Sequence, residues 1–220
     1  MLVLKVNEKE FDLDHVAFVF IDCQNDFITG TLGDIEAQKA LKVIEDVADI
    51  PMKYAYATAD THYDEEYLNS REGQKLPIKH CIIDDYVNDG WDLHFRLDRV
   101  LSDKTIYAKI NKHSFGSLVL PAVLKKIENL ECIVFVGFCT DICVISNVLI
   151  TQAEFENEIP IVVIEDGCAG TSPEKHKAAL DVMRSCQIDV VSHDDIEVLP
   201  VVGEVFSKEW INNKVKDNFI

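Results

Sequence analysis

Six short apolar runs recur along the chain, and most are followed by a stretch with helical spacing. The clearest are His15-Val16-Ala17-Phe18-Val19-Phe20-Ile21 and the run from Glu131 to Val136. Others lie at Lys53–Thr58, Lys104–Lys109, Pro160–Glu165 and Ile188–Ser192. Their shortness and their β-branched and aromatic content predict strands buried on both faces. Between them, Asp34 is placed to cap a helix over Ile35–Ile50, which Pro51 closes, and Pro173 sits in the first turn of a helix reaching Ser185. Shorter helices are expected at Leu93–Leu101, from Ser114 or Ser117 to about Glu128, and from about Asp141 to about Asn157. Strands alternating with helices imply an α/β fold: a three-layer αβα sandwich around a parallel six-stranded sheet.

The 220 residues are expected to form a single domain, 1–220, with an N-terminal hairpin at 1–14 and a C-terminal extension at 193–220 whose Val201, Val202, Val205, Phe206 and Trp210 pack on the core or on a partner subunit. The formal net charge of -18 and the absence of a basic stripe argue against nucleic acid and anionic membrane surfaces as partners. No apolar run is long enough to cross a bilayer, and Met1–Val6 lacks the apolar core of a signal peptide. Seven cysteines, several in or beside apolar runs, fit reduced thiols better than a disulfide framework, so a cytoplasmic location is expected.

Parallel sheets gather chemistry at the carboxyl ends of their strands. The run ending at Gly137 leads through Phe138-Cys139-Thr140-Asp141-Ile142 to Cys143, which is expected in the first turn of a helix. There the helix field would lower the thiol pKa. Asp22 ends the first strand, positioned to take the thiol proton and return it to a leaving amine. Lys109 ends the third and would supply a counter-charge; it is chosen over Lys112 because it closes the apolar run, whereas Lys112 falls in the following loop. Backbone N–H groups of this turn and helix start would form an oxyanion hole. Taken alone each residue has a plainer reading: a turn-capping Asp, a solvated Lys, an inert packed Cys.

A second cluster follows the second strand. Asp60 and His62 are two apart in an extended segment and therefore share a side, and His80 lies in the long irregular stretch from Tyr63 to Gly90. One carboxylate and two imidazoles suit Zn, Fe(II) or Mn, with positions left for water or a ring nitrogen; the alternative is a turn-forming Asp and two surface histidines. Glu72 is a candidate extra ligand, with a solvated loop acid as the alternative.

Taken in order, these segments resemble the isochorismatase-like cysteine hydrolases, and most of all their metal-containing nicotinamidase branch. The resemblance rests on Asp22-Cys23-Gln24-Asn25-Asp26-Phe27, Asp60-Thr61-His62, His80-Cys81, Lys109 ahead of Ser114-Phe115, Gly137-Phe138-Cys139-Thr140-Asp141-Ile142-Cys143-Val144, and Asp166-Gly167-Cys168-Ala169. It implies that Cys143 attacks a carboxamide, with Asp22 as general base and acid and Lys109 in support. It further implies that Asp60, His62 and His80 hold zinc or a similar metal, that Phe27, Phe138 and Cys139 border the substrate, that the Phe138–Cys139 peptide is cis, and that the protein is a homo-oligomer. The implied reaction is hydrolysis of nicotinamide to nicotinate and ammonia. The alternatives are another small amide as substrate, or a non-catalytic metal- and ligand-binding member of the fold. The chain departs from the family after His80, where Ile82 to Trp91 is longer and more acidic than usual, and Leu76 stands where a tryptophan is often found, leaving Trp91 or Phe115 to stack on the substrate.

Overall fold

The structure, a computed structural model, describes residues 1–85 and 87–201. Nine strands and eight helices are described. The strands are β1 (Leu2–Val6), β2 (Lys9–Asp12), β3 (Val16–Ile21), β4 (Tyr54–Asp60), β5 (Ile106–Lys112), β6 (Cys132–Phe138), β7 (Ile161–Ala169), β8 (Asp189–Val191) and β9 (Ile196–Pro200). The helices are α1 (Asn25–Ile28), α2 (Ile35–Asp49), α3 (Asp64–Tyr67), α4 (Arg71–Lys75), α5 (Phe95–Ser102), α6 (Val119–Leu124), α7 (Ile145–Glu154) and α8 (Pro173–Ser185).

Six of the strands form the expected sheet, all parallel, in the order β5-β4-β3-β6-β7-β8. Its centre is β3 and β6, in which every residue is buried. Alternation along these strands divides the core in two. Val16, Phe18 and Phe20 face the layer containing α2 and α5, while Ala17, Val19 and Ile21 face α6, α7 and α8. Each fully buried Val, Ile or Phe contributes roughly 1.5–3 kcal/mol of transfer free energy, so the sheet centre is the least deformable part of the molecule. The N-terminal hairpin β1–β2 is present as expected. It joins β9 in a small antiparallel sheet of order β2-β1-β9, which covers the α2 side of the core. Val201 is the last described residue of the C-terminal extension; Val202, Val205, Phe206 and Trp210 lie outside the described residues.

Several element boundaries differ from the sequence reading, and three of them matter here. The helix expected from Ser114 or Ser117 to about Glu128 is α6 alone: the Ser117 hydroxyl accepts from the N–H groups of Val119 and Leu120 at 3.2 and 3.3 Å, and Asn129 turns the chain at φ 55°. The helix expected from about Asp141 is a wide π-type turn over Thr140–Val144 followed by α7, which stops before the left-handed Glu156 and Asn157. Strand β5 runs to Lys112, three residues past the expected end, with consequences for the site.

Gly137, the last glycine before the turn that carries Cys143, has φ +130° and lies against β3, where an added Cβ would sit 2.0 Å from the Ile21 carbonyl oxygen. Both the conformation and the contact require glycine. Gly137→Ala is expected to lower stability by about 2–4 kcal/mol, read as a fall in the urea midpoint with an unchanged slope.

Candidate active site

The carboxyl ends of β3, β4, β5 and β6 converge on one cavity of about 800 Å3. Asp22 follows β3 directly, in the left-handed region at φ 47°, and is fully buried. One carboxylate oxygen accepts a 2.7 Å hydrogen bond from the Thr58 hydroxyl on β4. The other lies 2.8 Å from the ammonium of Lys112. That ammonium is also 3.1 Å from Asp60 Oδ1 and 3.5 Å from Cys143 Sγ. Asp22, Lys112 and Cys143 thus form one buried group, with Asp60 attached to it.

The lysine of this group is Lys112, not Lys109. The two are three residues apart on one strand, and an odd offset puts side chains on opposite faces. Ile110 and Lys112 are buried on the α6–α7 side, while Lys109 is exposed on the other, its ammonium 4.1 Å from the centre of the Trp91 ring. β5 continues to Lys112 because its ladder with β4 does, pairing Ala57 with Lys109 and Asp60 with Lys112. Trp91 likewise does not border the cavity; its indole N–H donates to the Thr61 hydroxyl, and Phe115 lines the cavity instead.

Burial sets the protonation of the group. It pushes the Cys143 thiol well above its ordinary range, the nearby Asp22 charge pushes the same way, and Lys112 pulls only partly back. This reverses the expectation of a thiol pKa lowered by a helix start. The sulfur lies inside the π-type turn rather than at the end of a long helix, and desolvation outweighs the local dipole. Burial also raises the Asp22 carboxyl, against the opposing charge of Lys112. For Lys112 burial acts downward, but the charges of Asp22, Cys143 and Asp60 outweigh it and hold the ammonium protonated. At rest, therefore, the proton sits on sulfur beside a carboxylate able to accept it.

The second cluster is assembled beside the first. Asp60 Oδ2 lies 3.2 Å from His62 Nε2 and 3.6 Å from His80 Nε2. Glu72, carried in by α4, lies 3.6 Å from His80 Nε2 and 3.9 Å from His62 Nε2. The four donor atoms fall within 4.8 Å of one another. Ligand atoms around one zinc lie roughly 3–3.5 Å apart given bonds of about 2.0–2.1 Å, so the set fits a single ion with little movement. Two carboxylates and two imidazoles suit Zn, Fe(II) or Mn. The supporting contacts fit as well. His80 Nδ1 lies 2.9 Å from the Ile78 carbonyl, which leaves Nε2 to face the carboxylates, and the rings of Tyr67 and Phe27 pack edge-on against His80. Burial alone would depress His80, but Asp60 and Glu72 bring it up to about 10. Asp60 is held far below the usual carboxylate range: burial acts upward, and hydrogen bonds from both histidines and the charge of Lys112 prevail.

Several residues that hold the site were not singled out from sequence. Gln24 grips the backbone of Asp60 from both sides, its Nε2 donating to the Asp60 carbonyl at 2.9 Å and its Oε1 accepting from the Asp60 N–H at 2.7 Å. The Asp26 carboxylate accepts from the Cys81 N–H at 2.7 Å and from the Thr31 N–H and hydroxyl at 3.1 and 2.9 Å, while the Asp26 N–H donates to the Gly90 carbonyl at 3.0 Å. Buried Asn147 donates to the Cys143 carbonyl at 2.7 Å and to the Phe115 carbonyl at 3.0 Å, tying the Cys143 turn to the cavity wall. The polar residues of the first motif and the single Asn inside an apolar helix face were the available signals. Phe27, Phe138 and Cys139 border the cavity, and the Phe138–Cys139 peptide is cis.

An isochorismatase-domain family profile matches residues 16–195. The chain belongs to the isochorismatase family. No curated protein matches it. Among solved structures, it is similar to the nicotinamidase/pyrazinamidase of Bacillus subtilis at 21% identity and TM-score 0.68, covering 80% of this chain and 99% of that one. The pyrazinamidase/nicotinamidase of Streptococcus mutans matches at 24% identity and TM-score 0.66, with coverage of 80% and 99%. The pyrazinamidase of Pyrococcus horikoshii, solved in complex with zinc, matches at 20% identity and TM-score 0.62, with coverage of 81% and 99%. These likenesses share the fold described above. No helix among the described residues is long and apolar enough to cross a membrane, and all seven cysteines are free thiols.

If the four donors hold one ion, zinc should bind at one per chain, and Glu72→Gln should weaken binding by at least ~10-fold in a competition titration with a chromophoric chelator. Because His80 carries a proton below about pH 10 when only carboxylates face it, zinc binding near neutral pH should release a proton, measurable with a pH indicator in weakly buffered solution.

Proposed function

We propose that the protein is an amidohydrolase converting nicotinamide to nicotinate and ammonia. What carries this reading is the buried Asp22–Lys112–Cys143 group sharing one cavity, through Asp60, with a four-donor metal set. The nicotinamidases and pyrazinamidases among the similar structures support it.

In this mechanism the carboxamide carbon lies against Cys143 Sγ. Asp22 takes the thiol proton as sulfur attacks, so the nucleophile is generated only when a carbonyl is in place. The backbone N–H groups of Cys139 and Cys143 receive the developing oxyanion. Asp22 returns the proton to the amide nitrogen, the C–N bond breaks, and ammonia leaves a thioester on Cys143. Water then gives a proton to Asp22 and attacks the same carbon. The C–S bond breaks, nicotinate is released and the thiolate recovers its proton. Lys112 stays charged throughout; it offsets Asp22 and Asp60 and balances the sulfur as negative charge passes over it. A zinc ion held by Asp60, His62, Glu72 and His80 would offer a Lewis-acidic seat for the pyridine nitrogen. Phe27 and Phe115 flank the ring, and the intact Gly137–Val144 turn sets the approach to sulfur.

The test is ammonia release from nicotinamide by the zinc-loaded protein. Wild type should turn over and Cys143→Ala should be inactive; equal rates in the two would refute the mechanism. The lysine assignment is tested in the same assay. Lys112→Met should lose at least ~100-fold in kcat/KM, because it leaves Asp22 and Asp60 buried without a counter-charge, whereas Lys109→Met should stay within about 3-fold of wild type.

A further inference from the structure

We propose that the substrate of this site is a heteroaryl carboxamide carrying a second, anionic group, and that Arg71 and Lys75 receive that anion. The inference rests on the amidohydrolase reading and moves its preferred substrate from nicotinamide, which lacks an anion, to a relative that carries one.

Cavity size is the first observation. At about 800 Å3 it lies toward the upper end of the roughly 300–1,000 Å3 typical of sites for drug-sized ligands, far more than a single pyridine ring with one carboxamide fills. The wall is largely apolar, with Phe27, Leu32, Phe115 and Phe138 able to seat a ring, and its charged side chains are gathered at α4 and the histidines beside it.

Charge is the second. α4 presents Arg71, Glu72 and Lys75 to the cavity together. Residues 71 and 75 are one helical turn apart and 72 and 75 are three apart, so the three share a face. Glu72 points to the histidines. Arg71 and Lys75 have no hydrogen-bond or ion-pair partner among the described residues. They sit at the exposed lip and are the two Lys or Arg side chains that border the cavity, in a chain of net charge -18. The acids of the cavity do not cancel them. Asp34 accepts from the Ala37 N–H as the cap of α2, Asp60 faces Lys112 and the histidines, and Glu72 belongs to the donor set.

α4 is also held in place. The Ser70 hydroxyl accepts from the Gly73 N–H at 2.9 Å, and a Cβ on Gly73 would sit 2.0 Å from the Tyr67 carbonyl oxygen. Two cations on a seated helix, either side of a member of the donor set, define a place for an anion on that side of the cavity. Guanidinium and ammonium groups bind carboxylate through charge-assisted hydrogen bonds. A carboxylate on the far side of the ring from the carboxamide meets this requirement.

Zinc-loaded protein titrated calorimetrically with nicotinate and with pyridine-3,5-dicarboxylate tests the proposal, because the two ligands differ by one carboxylate placed where it cannot chelate together with the ring nitrogen. Wild type should bind the dicarboxylate at least ~10-fold more tightly at low salt, the preference should shrink as salt is raised, and Arg71→Gln/Lys75→Gln should bring the two affinities within about 2-fold. Equal affinities in wild type, or a preference that persists in the double variant or at high salt, would overturn it. The readout is binding, so it stands apart from ammonia release: a preference for the dicarboxylate that depends on Arg71 and Lys75 keeps the anion site whether or not nicotinamide is hydrolysed, and the Cys143→Ala comparison bears on the reaction alone.

Discussion

A single ammonium buried among three acidic groups organises this molecule. Lys112 reaches Asp22, Asp60 and Cys143 at once, and each comes from the end of a different strand or from the turn that follows one. None of these groups would be tolerated alone in so dry a place, since an isolated buried charge is expensive. Together they are mutually compensating. The sheet order puts β5, β4, β3 and β6 side by side, so the four strand ends meet at one edge.

The same contact joins two kinds of chemistry. Asp60 belongs to the Asp22–Lys112–Cys143 group through Lys112 and to the donor set through the histidines. Its backbone is held by Gln24, two residues from Asp22, so the ends of β3 and β4 are fixed relative to each other through main chain as well as side chains. A carboxylate shared in this way carries the charge state of one half of the site into the other.

Much of this was legible in the sequence. The parallel sheet followed from apolar runs too short and too continuous to be anything but doubly buried strands, and α8 followed from its proline and its spacing. Asp60 and His62 were readable as a pair because period-two geometry is local. His80 and Glu72 required the fold to bring them in, as they sit on a stretch with no clear periodicity. Lysine was where local reading failed. The end of β5 was placed where its apolar residues stop, but the strand is extended by pairing with β4, a non-local interaction, and a three-residue error in a period-two element reverses the face. The thiol failed differently: helix-dipole logic is local, whereas desolvation depends on everything packed around the sulfur.

The contacts of Asp26 bear on the acidic stretch after His80. Cys81 is bound to the Asp26 carboxylate, and Gly90 to the Asp26 main chain with so little space that an added Cβ would fall 2.3 Å from the carboxylate. The two stems of the acidic excursion therefore close on one residue. Closing a longer loop between fixed ends costs little, about 0.6 kcal/mol per doubling of length. Ile82 and Ile83 remain tied to His62, the Ile83 N–H donating to the His62 carbonyl at 3.0 Å, so it is the sequence after them, 84–88, where length and charge can change with least effect on the base under His80.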